Sequence, residues 1–142
     1  MTQNYTSLEQ SKKLLAVGLR PDTADLVYQG FKDEISGGEI TYTIDFVSNW
    51  ESAYPNRSLF EDDNDETFVP CWSLGSLRKL IPVGINLDGD TYLFKNHNRI
   101  DGSWVYYFAG ENDATLVHCT GTDFNACFEL VVWLIEKGYI NC

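Results

Sequence analysis

Two side chains in this sequence have the chemistry for nucleophilic catalysis. Cys71 stands in front of Trp72-Ser73 at the expected start of a helix, and His118 falls on an expected strand downstream. A helix N-terminus lowers the pKa of a thiol, and an imidazole can take its proton, so the pair would suit a cysteine hydrolase. A buried thiol beside a packed tryptophan explains the same residues, because free cysteine is among the most buried residue types. No upstream glutamine stands out as an oxyanion-hole donor. No Gly-rich phosphate loop, Ser-His-Asp pattern or nucleophile elbow occurs.

The second candidate is acidic. Glu61, Asp62, Asp63, Asp65 and Glu66 form a dense cluster, and from Asp33 to Glu66 there are ten carboxylates and one cation, Arg57. An EF-hand loop needs glycine at its sixth position and glutamate at its twelfth. Counted from Asp63 these places hold Phe68 and Leu74, and counted from Asp62 they hold Thr67 and Ser73. The run Asn86 to Asp90 fails likewise, with Thr91 at the sixth place. His97 and His118 are the only histidines, and His97 lies in the polar run Asn96-His97-Asn98-Arg99, which reads as a turn. No metal site and no cofactor is therefore expected. The cluster reads as a solvated loop able to meet a basic protein surface.

The third candidate is aromatic. Trp104, Tyr106, Tyr107 and Phe108 occupy both faces of one expected strand. One face should meet the C-terminal helix, and the other should expose Tyr107, with Tyr92 or Tyr42 beside it according to strand register. Exposed rings with nearby carboxylates can hold a sugar or a protein partner. Burial by the N-terminal helices accounts for the same rings.

These residues need elements to position them. At 142 residues, 44% hydrophobic and 14% aromatic, the chain has enough apolar material for a core, and one domain over residues 1–142 is expected. Thr6-Ser7-Leu8-Glu9-Gln10 offers two overlapping capping boxes for a helix over about 7–17. Leu8, Ser11 and Leu15 share its inner face with Leu14 nearby, and Gly18-Leu19 ends it. Pro21 to Asp25 predicts a second short helix or turn through about Tyr28. Glu39 to Phe46 alternates, with Ile40, Tyr42, Ile44 and Phe46 on one face of a half-buried strand. Residues 48–69 read as an irregular mobile loop. Ser73 caps a helix carrying the stripe Leu74, Leu77, Leu80 and Ile81, which Pro82 stops. Asp88-Gly89, Asp101-Gly102 and Gly110 to Asp113 then punctuate strands at 91–95, 104–108 and 114–119. From Asp123 to Lys137 a very apolar helix follows, capped by Thr122 and closed by Gly138.

Charge and segment patterns exclude several classes. The 21 acidic and 10 basic residues give a net charge of −11, a field that repels phosphates and anionic lipid, so direct nucleic-acid binding is not expected. No apolar run reaches the roughly 18 residues of a membrane span, and the opening residues lack the basic start and apolar stretch of a secretory signal. The sequons at Asn4 and Asn56 are then chance matches. The four cysteines, Cys71, Cys119, Cys127 and Cys142, are widely spaced and include no C-x-x-C pair. They read as reduced thiols, which predicts a cytoplasmic location.

The segment Pro70-Cys71-Trp72-Ser73-Leu74 with Leu77, Leu80 and Pro82 resembles a recurring segment of small proteins from phages and mobile elements of gut Bacteroidetes. The opening Leu8 to Leu15 with Pro21 to Asp25, and the ending Asn125 to Leu134, are similar as well. The resemblance covers roughly a third of the chain. It implies an origin and no particular activity. Cys71-Trp72 also resembles the Cys-Trp step of papain-like proteases, but Val69-Pro70 replace the residues that complete that pattern.

The expectation is thus an α+β fold: an antiparallel sheet of about four strands packed by the C-terminal helix, with N-terminal and mid-chain helices. The expected function is an accessory, non-enzymatic acidic module that meets a basic protein surface. A cysteine hydrolase using Cys71 and His118, and a carbohydrate or small-molecule binding module using exposed aromatics, stay open beside it.

Overall fold

A computed structural model turns these patterns, among the residues it describes, into three α-helices and two antiparallel sheets, an α+β architecture. It describes residues 3–33, 39–46, 68–112 and 114–140. The acidic residues Glu61, Asp62, Asp63, Asp65 and Glu66, the Gly37-Gly38 turn and Cys142 lie outside them. The chain gathers into two compact units, Tyr5–Ser76 and Met1–Asn4 with Leu77–Cys142. Among the described residues no helix is long and apolar enough to cross a membrane.

In the first unit, helix α1 (Leu8–Ala16) starts where the hydroxyl signals place it. Of the two capping boxes, Ser7–Gln10 forms: the Ser7 hydroxyl accepts the Gln10 N–H, and the Gln10 side chain accepts the Ser7 N–H. Thr6 is instead wholly buried and bonded elsewhere. The inner face is carried by Ser11 and Leu14, with Leu15 only half-buried. At the other end Gly18 takes φ 105, and the Leu19 N–H reaches the Leu14 carbonyl at 3.0 Å while Leu19 buries its side chain.

The expected second helix is only a 3₁₀ turn, Pro21–Thr23, and the chain then enters strand β1 (Leu26–Asp33). Leu26, Val27 and Tyr28 are all buried, so no two-residue alternation marks the strand. It is the middle strand of the sheet β2-β1-β3, between β2 (Glu39–Phe46) and β3 (Phe68–Cys71). Strand β3 replaces the last part of the expected 48–69 loop. It tolerates Pro70 because it is an edge strand, where a missing N–H leaves no neighbour unpaired. Tyr42 and Ile44 pack on Leu26, Tyr28, Val69 and Cys71, and Leu8 closes that cluster. Phe46 departs from its expected face and is 89% exposed.

Helix α2 (Leu74–Leu80) begins at the end of this unit, with the Ser76 N–H donated to the Ser73 hydroxyl. In the second unit a four-stranded meander runs β4 (Gly84–Leu87), β5 (Asp90–Asn98), β6 (Trp104–Ala109) and β7 (Thr115–Gly121). Its fourth member is thus Gly84–Leu87, and Glu39–Phe46 belongs to the other sheet. Asp88 and Gly89 both take positive φ, 52° and 86°, the two-residue hairpin geometry that Asp-Gly favours. Strand β5 runs past the expected end to Asn98, because Asn96, His97 and Asn98 pair with Tyr106, Val105 and Trp104.

Helix α3 (Asp123–Glu136) packs on β6 and β7 and buries nine of its residues, from Phe124 to Ile135. Thr122 accepts the Asn125 N–H as its cap, and the Tyr139 N–H reaches the Leu134 carbonyl at 2.9 Å beyond Gly138. Beneath it Tyr106 and Phe108 are fully buried, with Phe94 stacked on the Tyr106 ring at 5.7 Å.

Candidate functional site

Cys71 lies on β3 with no exposed surface. Its thiol donates to the Thr6 carbonyl at 3.5 Å and accepts the Thr6 hydroxyl at 3.6 Å. The same hydroxyl bonds Ser11 at 2.7 Å and accepts the Trp72 N–H at 3.0 Å, and Tyr28 donates to the Thr6 carbonyl at 2.7 Å. Burial pushes the Cys71 pKa up, and the Thr6 and Tyr28 hydrogen bonds offset it only in part. Helix α2 starts three residues later, and its cap is occupied: Asp25 accepts both the Ser73 N–H, at 2.9 Å, and the Ser73 hydroxyl. No dipole is aimed at the sulfur, and the thiol stays protonated at neutral pH. These contacts hold strand, helix and N-terminal segment together; they do not prepare a nucleophile.

His118 lies on β7 in the second unit, and its ring contact is with Tyr107. Alternation along β6 turns Tyr106 and Phe108 toward α3, so Val105, Tyr107 and Ala109 face the other way. Register then sets Tyr107 opposite His118, and His97 opposite Val105. The imidazole of His97 stacks on the Tyr107 ring at 5.4 Å and 14°, and its Nε2 shares a hydrogen bond of 2.8 Å with the Tyr107 hydroxyl. The His118 ring meets Tyr107 edge-on at 5.9 Å. Thus Tyr107 is clamped between two imidazoles, one from each neighbouring strand.

These rings line an open depression of about 500 Å³ on that sheet face. Val105 and Ala109, both buried, form its floor, and Arg99 and Thr115 stand at its rim. Arg99 is placed there by the β5–β6 loop, where its N–H donates to the Ser103 carbonyl at 2.6 Å and the Gly102 N–H donates to the Arg99 carbonyl at 2.9 Å. Its volume falls in the range of small-ligand sites, though it is shallower and more polar than most of them.

The expected turn at Asn96 to Arg99 hid this arrangement. Continuing the alternation of β5 one step further would have put His97 on the face of Tyr107. The expected aromatic neighbours of Tyr107 are elsewhere: Tyr42 packs edge-on against Tyr28 at 6.2 Å, and the Tyr92 ring lies over Gly110. Among the described residues no three His, Cys, Asp or Glu side chains gather as a metal site.

A second polar cluster anchors α3. The Tyr106 hydroxyl donates to Asp123 in the first turn of the helix and accepts from Arg78 at 2.8 Å, while Arg78 and Asp123 pair at 2.7 Å. Burial and the Asp123 hydrogen bond push the Tyr106 pKa well up, so the phenol remains a donor. Burial works against the Arg78 charge, but Tyr106 and Asp123 outweigh it and raise the Arg78 pKa. All three groups are consumed by one another, which marks the cluster as structural. No family model, no curated protein and no solved structure matches this chain.

Proposed function

We propose that this chain is a non-enzymatic binding module that takes a small organic ligand in the Tyr107 depression. One observation carries the reading: Tyr107 is held rigid between His97 and His118 over a concave apolar floor. Rings packed on one another before the ligand arrives lose little entropy on binding, so the surface the three together present to the depression is available to a ligand. The burial and raised pKa of Cys71 speak against its use as a nucleophile. The unpaired thiols of Cys71, Cys119 and Cys127 support a reducing, cytoplasmic setting.

The test is a fragment screen read by NMR on the ring signals of His97, His118 and Tyr107. Ligands that move these signals together, and lose binding in Tyr107→Ala, uphold the reading. Hits that leave all three signals unmoved while binding elsewhere overturn it.

The net charge of −11 supports a second reading, in which the acidic run Glu61, Asp62, Asp63, Asp65 and Glu66 meets a basic protein and rejects nucleic acid. Neutralising those five residues should weaken capture of a basic partner more than neutralising five carboxylates elsewhere. Equal losses would remove this reading.

A further inference from the structure

We infer that the ligand of the Tyr107 depression carries an oxyanion, a carboxylate or a phosphate ester, joined to a flat or apolar body. The inference rests on the binding reading above and adds the sign of the ligand's charge. The chain as a whole has 21 acidic and 10 basic residues. The depression reverses that balance: among the described residues its lining holds a guanidinium and two imidazoles and no carboxylate. In so acidic a chain, a site lined this way attracts cations less than the rest of the surface does. It also offers an anion a local point of attraction.

The donors are also unspent. Among the described residues the Arg99 guanidinium makes no hydrogen bond or ion pair; it attracts Asp101 in its own loop, but that carboxylate is bonded by the Ser103 N–H at 3.1 Å and the Ser103 hydroxyl at 2.8 Å, so the guanidinium N–H groups stay open. His118 has a ring contact and, among the described residues, no hydrogen-bond partner. The hydroxyl of Thr115 stands at the same rim. A guanidinium presents paired N–H groups that match the oxygens of a carboxylate or phosphate, and it does so at an exposed position without prior desolvation cost. Opposite the rim, Tyr107 and the floor residues Val105 and Ala109 offer the apolar surface for the body of the same ligand. His97 is committed to Tyr107, so it serves to hold the ring, while Arg99 and His118 meet the charge.

Matched probes test this on the whole chain: benzoate, phenyl phosphate, inorganic phosphate and the neutral benzyl alcohol, each titrated by NMR with and without Arg99→Gln. The expected result is that at least one aromatic anion moves the His118 and Tyr107 signals and binds about tenfold or more tighter than benzyl alcohol. Arg99→Gln should remove that advantage and leave benzyl alcohol unchanged. Benzoate and phenyl phosphate distinguish the two oxyanions, and inorganic phosphate shows how much the body contributes. If benzyl alcohol binds as tightly as the anions, or Arg99→Gln leaves anion binding intact, the oxyanion inference is wrong and the binding site stands. If no probe moves the ring signals, the inference and the binding reading fall together.

Discussion

Replacing Tyr106 by Phe removes one oxygen and nothing else from the anchor of α3. The ring is fully buried and stacked on Phe94, and Phe keeps that contact. The lost oxygen donates to Asp123 and accepts from Arg78 Nε at 3.2 Å and Nη2 at 2.8 Å. Hydrogen bonds to charged partners contribute about 1.5–3 kcal/mol each. Here the sum is smaller, because Arg78 and Asp123 keep their own pair at 2.7 Å and their side chains are 42% and 22% exposed, so water can replace part of the loss. We expect a net destabilisation of about 2 kcal/mol, with the urea m-value unchanged. Equilibrium urea unfolding followed by tryptophan emission measures it. A double-mutant cycle with Asp123→Asn should show coupling of about 1 kcal/mol between the two positions. A Tyr106→Phe variant within about 0.5 kcal/mol of the parent, or strictly additive effects in the cycle, would refute the claim that this hydroxyl anchors the helix.

Three further outcomes follow from the packing. Thr6→Val should cost about 1–3 kcal/mol in urea unfolding, since it strands the buried Trp72 N–H and the Ser11 hydroxyl; a neutral effect would mean the network is dispensable. Burial pushes Cys119 up to about 11 and Cys127 up to about 12 from an ordinary 9.0. The folded state then holds protons that the unfolded chain releases above pH 9, so stability should fall between about pH 9 and 12, by about 1.4 kcal/mol per pH unit for each thiol fully in that window. Urea midpoints at pH 8, 9 and 10 should decline less steeply in Cys127→Ala, and an unchanged slope contradicts the assignment. In a Cys142→Ala variant, Cys71, Cys119 and Cys127 should resist a thiol reagent until denaturant is added, because all three are buried. Prompt modification of Cys71 in the folded protein would restore the cysteine-hydrolase reading.

What the residues determined by themselves is local. The Ser7–Gln10 box, the Gly18-Leu19 and Gly138 endings, the Asp88-Gly89 hairpin and the Thr122 cap each act across five residues or fewer, so their chemistry is legible in the string. The apolar excess of α3 likewise announced that it lies on a sheet. Tertiary structure decided the rest. Strand β1 carries buried residues on both faces at Leu26, Val27 and Tyr28, and that defeats the two-residue alternation by which strands are recognised. The polar run Asn96-His97-Asn98 is a strand only because β6 supplies its partners, a pairing fixed by register between segments and not by propensity within one. The candidate site depends on the pairing of β6 with both neighbours: it brings His97 and His118 from flanking strands to one ring, Tyr107, which the strand pattern set on the face away from α3, where it is half-buried, and whose neighbours that pattern had no means to name.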